Sequence, residues 1–282
     1  AFGVEHNDAL AVRDLGRLLY WVATAQEALD MALMAWRISE DSQCFLPFAL
    51  SCYGSFLTHS QAIVNVPTQE KVNSFLPPYD RGRLLLHPDN PITIAPQANE
   101  DWLMEIRRQS DEAMHQTPAV IKKAYQEFKT IFGRGDPSPF IEEYMTDDAD
   151  IILVGMGTLA LPVKVAVRQM RQEGKKVGFL RVKYFRPFAT DEIREALGKC
   201  KAVAVIDRDF SLGSPSYGGV LFNDIRSTLY PLDARPNMYN FIAGLGGREV
   251  RVRDVNDMVT MVQDALDTGK KELDTTWINV RE

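Results

Sequence analysis

From residue 150 onward, short uninterrupted apolar runs alternate with longer stretches in which apolar residues recur every three or four positions. The runs occupy 150–154, 177–182, 202–206 and 239–242, and the periodic stretches lie near 158–173, 190–198, 218–230 and 254–267. Runs this short and this apolar belong to strands buried on both faces. Their alternation with amphipathic helices predicts an α/β domain with a parallel sheet covered on both sides. The first half is less regular. Thr24-Ala25-Gln26-Glu27 is a capping-box pattern, opening a helix to about Glu40 in which Leu29, Leu33 and Trp36 recur at helical spacing. Residues 44–52 read as a short, fully buried strand, which Pro47 puts near an edge or at a strand start. Residues 53–60 form the loop beyond it, on the side where open α/β sheets bind ligands.

Between 64 and 99 stand Pro67, Pro77, Pro78, Pro88, Pro91 and Pro96. Proline fixes φ and removes a donor, so the segment is expected to be an irregular arm lying over a neighbouring surface rather than helix or central strand. A polar amphipathic helix is expected from about 101 to 132, broken near Pro118. The linker Gly133-Arg134-Gly135-Asp136-Pro137-Ser138-Pro139 then stops it. This divides the chain into 1–146 and 147–282.

Composition narrows the classes. The 282 residues are 45% apolar and 25% charged, with a formal net charge of −6 and no basic run, which argues against nucleic acid as a partner. No stretch approaches the ~20 apolar residues of a membrane span, and no secretory signal opens the chain, so a cytoplasmic location is expected. Cys44, Cys52 and Cys200 make no Cys-x-x-Cys pair, so neither zinc nor an iron–sulfur cluster is expected to bind this chain by itself. Cys44 and Cys52, in an apolar run, are expected to be reduced and buried.

Gly155-Met156-Gly157-Thr158-Leu159-Ala160 fits Gly-x-Gly-x-x-Ala between a strand and a helix. A dinucleotide site also wants an acidic residue after the next strand, and none stands from Gly174 to Ala189, so a tight strand–helix turn is the better reading. Gly244-Leu245-Gly246-Gly247-Arg248 reads as a turn whose glycines allow close approach. Arg186 and Asp207-Arg208-Asp209 sit at strand ends and suit ion pairs. His6, within Glu5-His6-Asn7-Asp8, and His59, on the loop after the apolar run, have no metal-ligand spacing. His87 and His115 are expected to face solvent.

Several segments occur in a fixed order along nearly the whole chain. They are Glu5-His6-Asn7-Asp8 through Arg13-Asp14-Leu15-Gly16, Gln26-Glu27-Ala28-Leu29-Asp30, Gly54-Ser55-Phe56-Leu57-Thr58-His59 and Phe75-Leu76-Pro77-Pro78-Tyr79. Phe-Lys-Thr-Ile-Phe-Gly-Arg at 128–134, Phe185-Arg186-Pro187-Phe188 and Phe241-Ile242-Ala243-Gly244-Leu245-Gly246-Gly247 follow. The series resembles the α subunit of the 2-oxoacid:ferredoxin oxidoreductases, the pyruvate and oxalate enzymes in particular.

The resemblance implies a partial thiamine-enzyme pyrimidine-side domain followed by a parallel-sheet domain like the C-terminal domain of transketolase. It implies a complex that oxidatively decarboxylates a 2-oxoacid, pyruvate first, with thiamine diphosphate, Mg2+ and [4Fe–4S] clusters held mainly by other chains. Coenzyme A is the implied cosubstrate and ferredoxin the electron acceptor. The implied partners are β-, γ- and δ-type subunits and a chain supplying an N-terminal region, because the family's α subunit starts about a hundred residues earlier. That upstream region carries the family's activating glutamate, so no residue here can be assigned a catalytic or cofactor-binding role. The sequence departs from the family at Tyr53-Gly54-Ser55, where Asp-Gly-Phe or Asp-Gly-Tyr is common, and its opening Phe2-Gly3-Val4-Glu5-His6 looks more like the oxalate enzyme. The substrate-proximal candidates are therefore Phe2, Glu5 and His6, with Tyr53 and His59 behind them. The rival expectation is a non-catalytic α/β nucleotide-binding or electron-transfer-type subunit, resting on the turn at 155–160.

Overall fold

The structure is a computed structural model that describes residues 4–80, 82–271 and 274–281. After a one-turn helix α1 (Asn7–Leu10) comes strand β1 (Leu18–Trp21), then helix α2 (Ala25–Ser39) and strand β2 (Phe48–Ser51). β1 and β2 pair in parallel, and β6 (Tyr184–Arg186) lies antiparallel on the other side of β1. Helices α3 (Gln69–Phe75) and α4 (Leu103–Phe132) lead to strand β3 (Ile141–Tyr144). Then follow β4 (Ile151–Met156), α5 (Ala160–Gln172), β5 (Val177–Val182), α6 (Thr190–Leu197) and β7 (Ala202–Asp207). Helix α7 (Val220–Leu229), β8 (Asn237–Ile242), α8 (Val252–Asp267) and β9 (Thr276–Trp277) complete the chain. The second sheet has the order β3-β5-β4-β7-β8-β9, parallel except for the edge strand β3.

The α/β class and the four central strands of the second sheet follow the apolar runs closely. β4, β5 and β7 are buried at every position because α5 and α8 cover one face while α6 and α7 cover the other. One core cluster runs from β1 (Leu18, Tyr20, Trp21) through β5 (Leu180, Val182) to α7 (Leu221, Ile225), so the two sheets share buried surface.

Several expectations in the first half are corrected. Only 48–51 of the apolar run at 44–52 is strand, because Phe45 takes φ +47° and turns the chain ahead of Pro47. That strand is half-buried rather than fully buried, it lies at a sheet edge as Pro47 indicates, and Cys52 just beyond it is exposed, whereas Cys44 is buried. The arm contains a helix after all. Thr68, directly after Pro67, accepts the Lys71 N–H and caps α3, which ends before Pro77 with Phe75 packed on Phe128 and Phe132. α4 runs through Pro118 unbroken, its stripe of Val120, Ile121, Ala124, Phe128 and Phe132 buried. A proline forfeits one N–H bond, and the packing of this face outweighs it. On α2 the buried stripe is Met31, Met34 and Ile38, and Trp36 is exposed.

Thr24 caps α2 by accepting the Glu27 N–H. The Glu27 carboxylate does not return to Thr24 but reaches one residue further, accepting the Ala23 N–H at 2.7 Å.

Candidate functional site

The second sheet starts at β4, grows to β5 on one side, and then crosses to β7 and β8 on the other. The winding reverses between the carboxyl ends of β4 and β7, the usual ligand crevice of such sheets. There the amino-terminal segment crosses the loops. His6 N–H donates to Arg208 O at 2.9 Å, and Gly247 N–H donates to Val4 O at 3.2 Å. The Asn7 amide makes a reciprocal pair with the Phe210 backbone, at 2.9 and 3.2 Å.

His6 is 3% exposed. Its Nε2 is hydrogen-bonded to the Tyr53 hydroxyl, and its ring centre lies 5.3 Å from those of Trp21 and Tyr53. Nδ1 faces Asp209 Oδ2 at 3.7 Å, beyond hydrogen-bond range, and neither atom has another partner among the described residues. Burial pulls the imidazole below its ordinary pKa, outweighing the nearby Asp209 carboxylate, so His6 is neutral at pH 7. The carboxylate favours the tautomer with its proton on Nδ1, which leaves Nε2 to accept from Tyr53.

Tyr53 is buried, and burial lifts its phenol above the ordinary value. Its hydroxyl is 3.3 Å from Met156 O, and its ring is seated on Gly157, whose φ is +58°. The glycine turn after β4 therefore accommodates an aromatic ring where a dinucleotide would need its phosphates, which removes the basis of the nucleotide-binding reading.

Arg208 is 3% exposed and lies over the rings of Tyr53 and Phe56, 4.9 and 5.4 Å from their centres. Its Nη1 is 3.4 Å from Thr158 Oγ1, and Gly244 leaves room for its Nε, where a Cβ would come within 2.6 Å. Beneath it, burial and then the Asp209 charge push the Asp207 carboxyl well above its usual range. Asp207 is held by Asn240 Nδ2 at 2.7 Å and Leu221 N at 3.1 Å. A neutral imidazole, a phenol, a guanidinium and two carboxyl groups are thus fixed together below the loop after β2.

Of the sequence candidates, the structure brings His6 and Tyr53 together. Glu5 is exposed, and His59 is exposed too, bonded through Nδ1 to Gly54 O and Thr58 Oγ1 of its own loop. Phe2 lies outside the described residues. Trp21 escapes sequence reasoning, Thr158 figures there only within the turn at 155–160, and Arg208 and Asp209 figure there only as ion-pair formers. The one local signal for them is a charged triplet directly after the apolar run of β7.

His6 also sets a pH dependence. Its proton is bound more weakly in the folded state than in the unfolded chain, so stability is complete above the unfolded pKa of about 6.5. As pH falls below that value, the unfolded state takes up a proton that the folded state refuses. The slope is up to about 1.4 kcal/mol per pH unit. Thermal unfolding from pH 8 to 5 is expected to show a steeper acid loss for the native chain than for His6→Gln, and parallel curves would contradict a buried neutral imidazole.

A second polar cluster joins the two sheets. Arg181, 4% exposed, bonds Glu27 at 2.8 Å, Trp21 O at 2.7 Å and Glu142 at 3.3 Å. Glu27 also accepts from the Tyr20 hydroxyl. Lys183, 1% exposed, pairs with Asp136 at 2.9 Å. Burial would raise the Glu27 pKa, but Arg181 and the Tyr20 and Ala23 hydrogen bonds hold it below the ordinary value.

Two family models match this geometry in sequence. "Pyruvate flavodoxin/ferredoxin oxidoreductase, thiamine diP-bdg" matches residues 1–126, and "Pyruvate:ferredoxin oxidoreductase core domain II" matches 149–255. Pyruvate synthase subunit PorA of Pyrococcus abyssi is 39% identical over 276 residues, 98% of this chain and 69% of that subunit. The chain belongs to the 2-oxoacid:ferredoxin oxidoreductase α-type subunits. The PorA subunit of Methanothermobacter thermautotrophicus is 35% identical over 278 residues, 99% of this chain and 68% of that one. The ketoisovalerate oxidoreductase subunit VorA of Pyrococcus abyssi is 36% identical over 277 residues, covering 98% and 69% of the two chains. Among solved structures, the fold is that of a 2-oxoglutarate:ferredoxin oxidoreductase from Magnetococcus marinus, with TM-score 0.53 and 15% identity. The match covers 88% of this chain and 42% of the length of that one.

The described residues do not by themselves fit the metal–diphosphate end of thiamine diphosphate. No group of three or more His, Cys, Asp or Glu among them is placed to hold a metal ion, and the half-buried Glu27 and Glu142 are already engaged by Arg181. No described helix is long and apolar enough to cross a membrane.

Proposed function

We propose that this α-type subunit works in a cytoplasmic complex that oxidatively decarboxylates pyruvate, with thiamine diphosphate as the cofactor and coenzyme A as acyl acceptor. The observation that supports this reading is the 39% identity to a pyruvate synthase subunit over 98% of the chain, through both sheets and the loops that carry His6, Tyr53 and Arg208. Residues 1–146 act as the remainder of a pyrimidine-side domain and 147–282 as the transketolase C-terminal-like domain. The β-, γ- and δ-type subunits hold the Mg2+ diphosphate and the [4Fe–4S] clusters, and ferredoxin takes the electrons.

In this reading the chain supplies a wall of the substrate chamber rather than a chemical step. His6 and Tyr53 are substrate-proximal groups, a neutral imidazole and a phenol fixed against each other, Phe2 and Glu5 are further substrate-proximal candidates, and His59 fixes the loop behind Tyr53. The test is 2-oxoacid-dependent reduction of ferredoxin by the purified complex, with pyruvate, 2-oxoisovalerate, 2-oxoglutarate and oxalate compared. Pyruvate is expected to give the highest kcat/KM and to require coenzyme A. Phe2→Ala and His6→Ala are each expected to lower kcat/KM by about tenfold or more, the cost of one lost positioning contact of ~1.4 kcal/mol. Unchanged rates and substrate preference in both variants would remove them from the site, and no turnover with any 2-oxoacid would overturn the reading as a whole.

A further inference from the structure

Arg208 carries a charge that the protein leaves unanswered. It is 3% exposed, its Nη1 reaches only Thr158 Oγ1 at 3.4 Å, and its Nε has no partner among the described residues. The carboxylates beside it in sequence face the other way. Alternation along the end of β7 turns Asp207 and Asp209 toward α7, where their Oδ1 atoms accept the Leu221 and Val220 N–H groups at 3.1 and 2.7 Å. No described carboxylate forms an ion pair with the guanidinium, which lies instead over the rings of Tyr53 and Phe56. Burial works against its charged form, and no carboxylate offsets that. Two rings attract a cation more weakly than a carboxylate does, and an unpaired buried charge is costly.

The same point is the amino-terminal end of a helix. A single 3-10 turn, Gly157–Leu159, runs directly into α5, with no acidic residue in its first turn and no side chain capping it. Unpartnered N–H groups and the helix dipole make such an end positive. Thr158, which Arg208 Nη1 touches, belongs to that turn. A guanidinium and a positive helix end therefore converge with no described negative group between them. Helix α7 shows the usual arrangement, since its amino-terminal end takes both Asp207 and Asp209. On the remaining side, a Cβ at Gly244 would stand 2.6 and 3.0 Å from Nε and Nη2. Any other residue there would cap the edge of the guanidinium that grips an oxyanion with two bonds.

We infer that Arg208 and the first turn of α5 form a receptor for one small oxyanion, a metabolite carboxylate or inorganic phosphate. The Thr158 hydroxyl and the N–H groups that a helix start leaves without intrahelical partners supply the remaining donors. The Tyr53 ring seated on Gly157 sets the size limit, excluding a dinucleotide but not a single carboxylate or phosphate. Phe56 is the cover. Its ring centre lies 5.4 Å from the guanidinium carbon, and the residue is 40% exposed on the loop after β2. It swings aside without breaking any side-chain hydrogen bond. The receptor is built from this chain's own residues, so it does not depend on which 2-oxoacid the complex uses.

The test is equilibrium dialysis of the assembled complex, loaded with thiamine diphosphate, against radiolabelled phosphate and radiolabelled acetate in a bulky sulfonate buffer of fixed ionic strength. The native complex is expected to hold one anion per α-type subunit about tenfold more tightly than the Arg208→Gln complex, equal to ~1.4 kcal/mol. Tighter acetate makes a carboxylate the occupant and tighter phosphate makes it phosphate, and both support the receptor. Phe56→Ala removes a competitor for the guanidinium at an exposed position and is expected to tighten binding about threefold. Equal stoichiometry and affinity in the native and Arg208→Gln complexes overturn the inference, as does unchanged or weaker binding to the Phe56→Ala complex. Should Arg208→Gln fail to assemble, the direction of the Phe56→Ala shift decides alone. Turnover measured on the same preparation separates the readings, since a complex that oxidises pyruvate without an Arg208-dependent anion site sinks this inference alone.

Discussion

Glu27→Ala will destabilise the protein by about 3–5 kcal/mol, the cost of leaving a buried charge without its partner. Arg181 is almost wholly buried, and Glu27 accepts two of its N–H···O contacts at 2.8 Å. The same carboxylate takes the Tyr20 hydroxyl and the Ala23 N–H, so the substitution orphans donors on β1, β5 and the link between β1 and α2 together. Glu142 cannot replace it, because it holds Arg181 at 3.3 Å while also pairing with Lys164. Glu27→Gln keeps one acceptor oxygen, for either the Tyr20 hydroxyl or the Ala23 N–H, and is expected to lose less than the alanine variant. The double variant Glu27→Leu with Arg181→Met should recover the part of the loss owed to the unpaired charge, while the Tyr20 hydroxyl and the Ala23 N–H stay without their acceptor. Urea unfolding of the three variants provides the measurement, and an alanine loss below about 1 kcal/mol would mean the pair is solvated rather than buried.

Gly157→Ala will dislodge Tyr53 and with it the anchor of His6. A Cβ at 157 would land within the Tyr53 ring, and the φ of +58° is one that only glycine adopts without strain. Together these are expected to cost about 2–4 kcal/mol, in the range of overpacking plus a strained backbone. The readout is specific, since the His6–Tyr53 hydrogen bond must break or bend for the ring to move. The imidazole resonances of His6 should shift, and its titration should return toward 6.5 as solvent reaches it. Gly174→Ala provides the control, because it shares a positive φ, +83°, but meets open space. Equal losses in the two variants would show that backbone strain acts alone.

The second sheet was legible because β4, β5 and β7 are buried on both faces, and such strands consist of little except apolar residues. β3 escaped notice for the opposite reason. Glu142 and Glu143 interrupt its pattern, and they are there to hold Arg181, Lys164 and Thr146 across the sheet surface. β1 was missed although Leu18-Leu19-Tyr20-Trp21 is as apolar as any strand of the second half. The turn signal ahead of it, Asp14-Leu15-Gly16 with Gly16 at φ +81°, is there to be read. At the site, His6 and Tyr53 were found through the segments that carry the family resemblance. Trp21, Arg208 and Asp209 were not found as site residues, because what matters about them is tertiary. Nothing local to a Trp on β1 or a charged triplet after β7 says that one imidazole will lie between them.

The Asn7 side chain and the Phe210 backbone bond across 203 positions of sequence. Contacts of that separation form late, after the entropy of closing a long loop has been met. At ~5–20 residues per second, a ribosome needs about ten to forty seconds to travel from one to the other. Throughout that interval the amino-terminal segment has no place to dock, and β1 lacks β6 on one flank. Newborn chains of this protein therefore pass through a stage with an apolar strand on show, and it is over this interval that a chaperone would act.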